Sequence, residues 1–179
     1  MNDDTTISPL HQPGSILDPL TEIAREGARQ MLAAALRAER GEPDRVAPEI
    51  RIEAPASLPE GYIPEPDVRA TLYNRLARAR APDEAERLAD EVEDRFGPPP
   101  PEAQALLRLA AIRARAGALG VTRVSAGPEA VALDFAPGAR PEDAPEGLDW
   151  VGDRLVRRQP LADAAERLDA ALEMLAQLA

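Results

Sequence analysis

Val121-Thr122-Arg123-Val124-Ser125 and Val131-Ala132-Leu133-Asp134-Phe135, parted by Ala126-Gly127-Pro128-Glu129, decide the fold class of this 179-residue chain. β-branched and aromatic residues on either side of a Gly-Pro turn read as a β-hairpin. Directly before the hairpin, residues 102–118 follow a helical period with apolar residues on two faces, Leu106 and Ala110 on one and Leu109 and Ile112 on another. A helix apolar on more than one face is buried between neighbours, so this one is expected at the centre of the domain. Together they predict an α+β domain, with helices packed around a small, mostly antiparallel sheet.

Upstream, residues 49–54 alternate Ile50 and Ile52 with Arg51 and Glu53, the period of a half-buried strand. Val68, Leu72, Leu76 and Ala79 mark a helix behind Asp67 as a capping residue. Pro82 breaks the chain, Asp83 and Glu86 have the spacing of a capping box, and Ala85, Leu88, Ala89, Val92 and Phe96 give the next helix one apolar face. Gly97 stands where a helix end needs a glycine, and four prolines follow as a stiff connector. Downstream, Leu155 and Val156 predict a short strand. Leu161, Ala165, Leu168, Leu172 and Leu175 predict a closing helix behind Asp163 and Glu166, too short in heptads for a coiled coil. At the other end, residues 1–14 are polar and proline-containing and are expected to be a disordered leader; residues 15–42 show a thin, Ala-rich helical stripe that Gly41 and Pro43 stop.

Composition narrows the chemistry. The chain has no Cys, which removes thiolate catalysis, thiolate metal sites and disulfides. All 21 basic residues are Arg, and without Lys there is no phosphate-binding loop of the Gly-x-x-x-x-Gly-Lys type. His11, the single histidine, lies in the expected leader, where it has no positioned partner for base or metal chemistry. A net charge of -11 opposes independent binding to nucleic acid and favours a basic or neutral protein partner. No apolar run approaches the ~20 residues that span a bilayer, and the start lacks the basic residues of a signal peptide. The expectation is a cytoplasmic, non-enzymatic chain with no cofactor and no metal.

Carboxylates are plentiful on the helix before Gly97. Asp90 and Glu91 are adjacent and diverge by ~100° on a helix, whereas Glu91 and Asp94 share a face with Arg87. An arginine within the cluster points to an ion-pairing surface and away from a metal. Trp150, the single tryptophan, is expected in the core, with an interface anchor as the alternative. Arg108 and Arg115, seven apart, read as a solvated face before a basic stripe.

Tyr62-Ile63-Pro64 leading into Arg69, Leu72, Tyr73 and Leu76, the helix end Asp94-Arg95-Phe96-Gly97-Pro98, Leu119-Gly120-Val121 and Glu166-Arg167-Leu168 occur in an order that resembles a known family. With Glu49-Ile50-Arg51-Ile52 before them, they are similar to the C-terminal domain of bacterial transcription-repair coupling factors over residues 48–178. Residues 20–42 resemble, more loosely, the last helix of that family's motor region, with Gly27-Ala28 where a larger pair is usual. The resemblance implies a regulatory domain that does no chemistry and docks on a UvrB-like module. It also implies that Glu91 and Asp94 contact arginines of that module. Phe96 is expected to anchor its helix in the core.

The resulting expectation is a protein-interaction module, monomeric, presenting Glu91 and Asp94 on an exposed acidic helix face to a UvrB-like module, or to UvrA or an RNA polymerase assembly. The alternative is a structural remnant, or a homodimerisation unit using a terminal helix, with no repair partner.

Overall fold

A computed structural model describes residues 47–179. The expected leader 1–14 with His11 and the expected helix 15–42 lie outside the described residues. The elements run β1 (Glu49–Ile52), α1 (Pro66–Arg78), α2 (Pro82–Phe96), α3 (Pro101–Ala118), β2 (Val121–Ala126), β3 (Ala130–Phe135), β4 (Asp149–Val151), β5 (Arg154–Arg158) and α4 (Ala164–Ala176). The five strands form one sheet in the order β1-β2-β3-β5-β4. β1 pairs parallel to β2, and every other pairing is antiparallel. The fold is α+β, as the hairpin and the two-sided helix predict.

α3 is the central helix. Its Ala105, Leu109, Ile112 and Ala116 join β2, β3, β5 and α4 in one core, with Val124, Val131, Leu133, Leu155, Leu168 and Leu175 at 0% exposure. Its Ala103, Leu107, Ala110 and Ala114 join α1, α2 and the 58–63 loop in a second core. The two cores meet across one helix because alanines on both of its faces let neighbours approach closely. Leu58 and Ile63 are buried in the second core, which fixes the loop before α1 as firmly as a regular element.

The helix starts differ from the expected caps. α1, α2 and α3 each begin with proline in the first turn, and Glu65, Ala81 and Pro100 before them form no side-chain cap. Proline at this position has no N–H to satisfy and its φ is already helical, so each helix starts ahead of its first acid residue, which then lies inside the first turn and not at the cap. Asp67 lies within the first turn of α1, and Asp83 binds Arg87 in place of capping a backbone group. A reciprocal cap forms only at α4 among the described helices, where Glu166 N donates to Asp163 Oδ1 at 2.9 Å and Ala162 N donates to Glu166 Oε2 at 2.6 Å.

Two features of the sheet escaped the sequence reading. β4 is a three-residue strand that returns to β5 through Gly152-Asp153, with Gly152 at φ 62°. Glycine is needed there because the first residue of such a tight loop takes a positive φ. A bulge between Val121 and Arg123 adds a residue to β2, so Val121 and Val124, three apart, both face the core.

Candidate protein-docking face

α2 separates its residues by polarity. Ala85, Leu88 and Val92 are buried at 2%, 4% and 0% exposure, while Asp83, Glu84, Glu86, Arg87, Asp90, Glu93 and Asp94 are exposed. The C-terminal end of this helix is held from beneath. Phe96, only half-buried, packs edge-on against Tyr62 at 6.2 Å between ring centroids. The Tyr62 hydroxyl donates to Gly97 O at 2.7 Å, and burial pushes that phenol up from its ordinary pKa. Gly97 ends the helix at φ 82°, and Arg95 lays its guanidinium 5.0 Å from the Phe96 ring centroid.

The other motif residues are fastened to the same region. Arg69 Nη1 donates to Ile63 O at 2.7 Å and to Pro64 O at 2.8 Å, and Leu58 N donates to the Tyr73 hydroxyl at 2.7 Å. These side chains tie loop 57–65 to α1, and Tyr62 ties it to the end of α2. Their role in the described structure is scaffolding.

Glu91 and Asp94 have different surroundings. Glu91 is half-buried and clamped between helices: Arg75 of α1 donates from Nη1 to Oε1 at 2.7 Å and from Nη2 to Oε2 at 2.5 Å. Arg95, one turn on, donates to Oε1 at 3.0 Å. The Arg75 bonds are the main cause that lowers the Glu91 carboxyl from its ordinary 4.5 to about 2, with Arg95 adding to the effect. The sequence reading expected Glu91 exposed; the arginine that takes it lies sixteen residues away on another helix. Arg87, expected beside it, pairs with Asp83 instead. Asp94 is exposed and makes no ion pair or hydrogen bond among the described residues. Asp90 and Glu93 are exposed and unpaired in the same sense, so the free charge on this end of α2 is Asp90, Glu93 and Asp94.

Beside this acidic ridge, Arg75, Arg78, Glu84, Arg87, Leu88 and Glu91 line a shallow groove of about 440 Å³ between α1 and α2. Arg108 and Arg115 form no basic stripe: Arg108 Nε lies 3.1 Å from Asp169 of α4 and Arg115 Nη2 lies 2.8 Å from Glu86 of α2. Trp150 is half-buried, packs on the sheet core beside Phe135, and carries the Arg140 guanidinium 3.9 Å from its ring centroid. Among the described residues no group of three or more His, Asp or Glu side chains is arranged to hold a metal. No described helix is long and apolar enough to cross a membrane.

The family model described as the TRCF domain matches residues 52–145, from the end of β1 to the loop before β4. The chain belongs to the TRCF domain family. Among similar proteins, the transcription-repair-coupling factor of Escherichia coli is 33% identical over 88 residues, 49% of this chain and 8% of the relative. The Bacillus subtilis transcription-repair-coupling factor is 26% identical over 147 residues, covering 80% of this chain and 12% of the relative. A crystal structure of the C-terminal domain of a transcription-repair coupling factor shares the fold, with a TM-score of 0.59 and 18% identity over 74% of this chain and 91% of that one. The matched part of this TRCF domain thus spans about a tenth of the length of the curated relatives.

Proposed function

We propose that this TRCF domain is a non-enzymatic regulatory module of transcription-coupled repair that docks on a UvrB-like module through the acidic end of α2. The observation that carries the reading is the run of carboxylates unpaired among the described residues, Asp90, Glu93 and Asp94, on a helix end whose backing is fixed by Tyr62, Phe96 and Gly97. A rigid display of free carboxylates suits bidentate capture of partner arginines, with little ordering left to do on binding. Asp94 is the residue assigned the direct contact. Glu91 contributes on condition that a partner arginine shares or displaces Arg75. The lack of Lys and Cys leaves no phosphate loop or thiol nucleophile in the whole sequence, consistent with a regulatory role that needs neither metal nor nucleotide.

The reading is tested by titrating the chain with an isolated UvrB-like module and following the complex by calorimetry at low and at moderate salt. A one-to-one complex that weakens as salt rises is expected. Absence of binding at high micromolar concentration of both proteins would remove the proposal.

A further inference from the structure

The side of the sheet away from α3 and α4 carries exposed or half-buried side chains on all five strands. Its middle row crosses four strands in register, Glu49 on β1, Arg123 on β2, Asp134 on β3 and Arg154 on β5. Neighbours in the row pair laterally: Arg123 Nε to Glu49 Oε2 at 2.8 Å, and Arg154 Nε to Asp134 Oδ1 at 2.8 Å. The next row places Ser125 and Ala132 at the centre of the face, small enough that Arg154 Nη2 reaches over to Ser125 Oγ at 2.8 Å. With Arg51, Arg158 and Asp149 on the same side, this face carries four arginines against three carboxylates, in a chain of net charge -11.

We infer that this open sheet face is a homodimer interface, in which a second copy of the chain packs face to face about a two-fold axis running between β2 and β3. Such an axis reverses the order of the row. A row of charges −, +, −, + reversed is +, −, +, −, so each side chain meets its opposite: Glu49 faces the other copy's Arg154, and Arg123 faces its Asp134. This self-complementarity is what an isologous contact requires. The face carries a charge near zero, +1 from four arginines against three carboxylates, so two copies of this acidic chain meet there with little repulsion. The Arg154 side chain lies across the small centre at Ser125 and Ala132, so the two sheets meet through arginine and carboxylate side chains. Four strands of about five residues bury in total near ~1,000 Å², at the lower limit for specific association, so the dimer is weak. The face is separate from the acidic end of α2, and the inference stands whether or not that end docks a repair partner.

Sedimentation of the 179-residue chain tests it, at concentrations up to ~1 mM and at ~50 and ~500 mM salt, which spans the range where ion pairs are screened. A monomer–dimer equilibrium with Kd near ~10⁻⁴ M, weakened at least several-fold by the salt, is expected. Arg154→Glu places like charges opposite Glu49, and Glu49→Arg places like charges opposite Arg154, so each variant alone is expected to be monomeric. Mixed, the two variants restore every opposition and are expected to form a one-to-one heterodimer. Ala132→Glu, which leaves the row intact but loads the small centre with like charge on both copies, is expected to abolish the dimer and serves if either row variant fails to fold. A wild-type chain that is monomeric throughout, a dimer that survives Ala132→Glu, or well-folded row variants that fail to recognise each other would each overturn the assignment.

Discussion

Removing the Arg75 side chain should uncouple α1 from α2 in a way that depends on Glu91 and on pH. The bidentate contact at 2.7 and 2.5 Å is the best-formed ion pair on this side of the domain, yet its side chains are 44% and 32% exposed. Exposed pairs contribute ~0.2–1 kcal/mol, and bidentate geometry with the added Arg95 bond places this one at the upper end, at about 1 kcal/mol. A double-mutant cycle of Arg75→Ala and Glu91→Gln, read by urea unfolding at pH 7 and low salt, should give that coupling. The folded-state pKa of Glu91 is depressed, so its contribution is fully present above the ordinary 4.5 and is lost as pH falls towards about 2. The coupling should therefore shrink steadily across that window and also shrink with salt. A coupling below ~0.3 kcal/mol at pH 7, or one unchanged between pH 5 and pH 3, would refute the clamp as a stabilising link.

Phe96→Ala should cost about 2 kcal/mol, below the ~3–5 kcal/mol of a fully buried phenylalanine, because the ring is half-buried and rests on Tyr62; a loss under ~0.5 kcal/mol in chemical denaturation would assign Phe96 to a binding surface instead. Gly120→Ala should be more damaging than Gly97→Ala, since both sites have positive φ but only at Gly120 does a new Cβ fall 2.5 Å from Ala139 Cβ; equal melting temperatures would contradict that packing. Arg140→Ala should change the emission of Trp150, the single tryptophan, by removing the cation 3.9 Å from its ring, and an unaltered spectrum would mean the contact is not populated in solution.

The period of residues 102–118 was enough to read the two-faced helix: Leu106 and Ala110 turn to one core and Leu109 and Ile112 to the other. The hairpin was legible because its strands are long and its turn is marked by Gly127-Pro128. β4 was not, since three residues carry no period, although Gly152-Asp153 was a usable turn signal. The caps at α1 and α2 were misplaced because the helices begin at Pro66 and Pro82, one residue before Asp67 and Asp83, and a proline read as a breaker also serves as a helix's first residue. The apolar face of α2 at Ala85, Leu88 and Val92 was readable from spacing, and so was the exposure of Asp94. The state of Glu91 was not, because its partner Arg75 is joined to it only by the packing of two helices, and local spacing offered Arg87 in its place. The charge row of Glu49, Arg123, Asp134 and Arg154 was hidden for the same reason, as strand register is a property of the folded sheet.

Asp94→Arg gives the most direct test of a docking role for the acidic end of α2. Asp94 is exposed and has no partner among the described residues, so its replacement should leave the melting temperature within a degree or two of the wild type, within the ~0.5 kcal/mol usual for surface changes. Charge pairs across an interface couple by ~1.5 kcal/mol or more, so reversing one should weaken calorimetric binding to an isolated UvrB-like module by more than ~10-fold. A folded Asp94→Arg variant that binds the module within twofold of wild type would contradict the account.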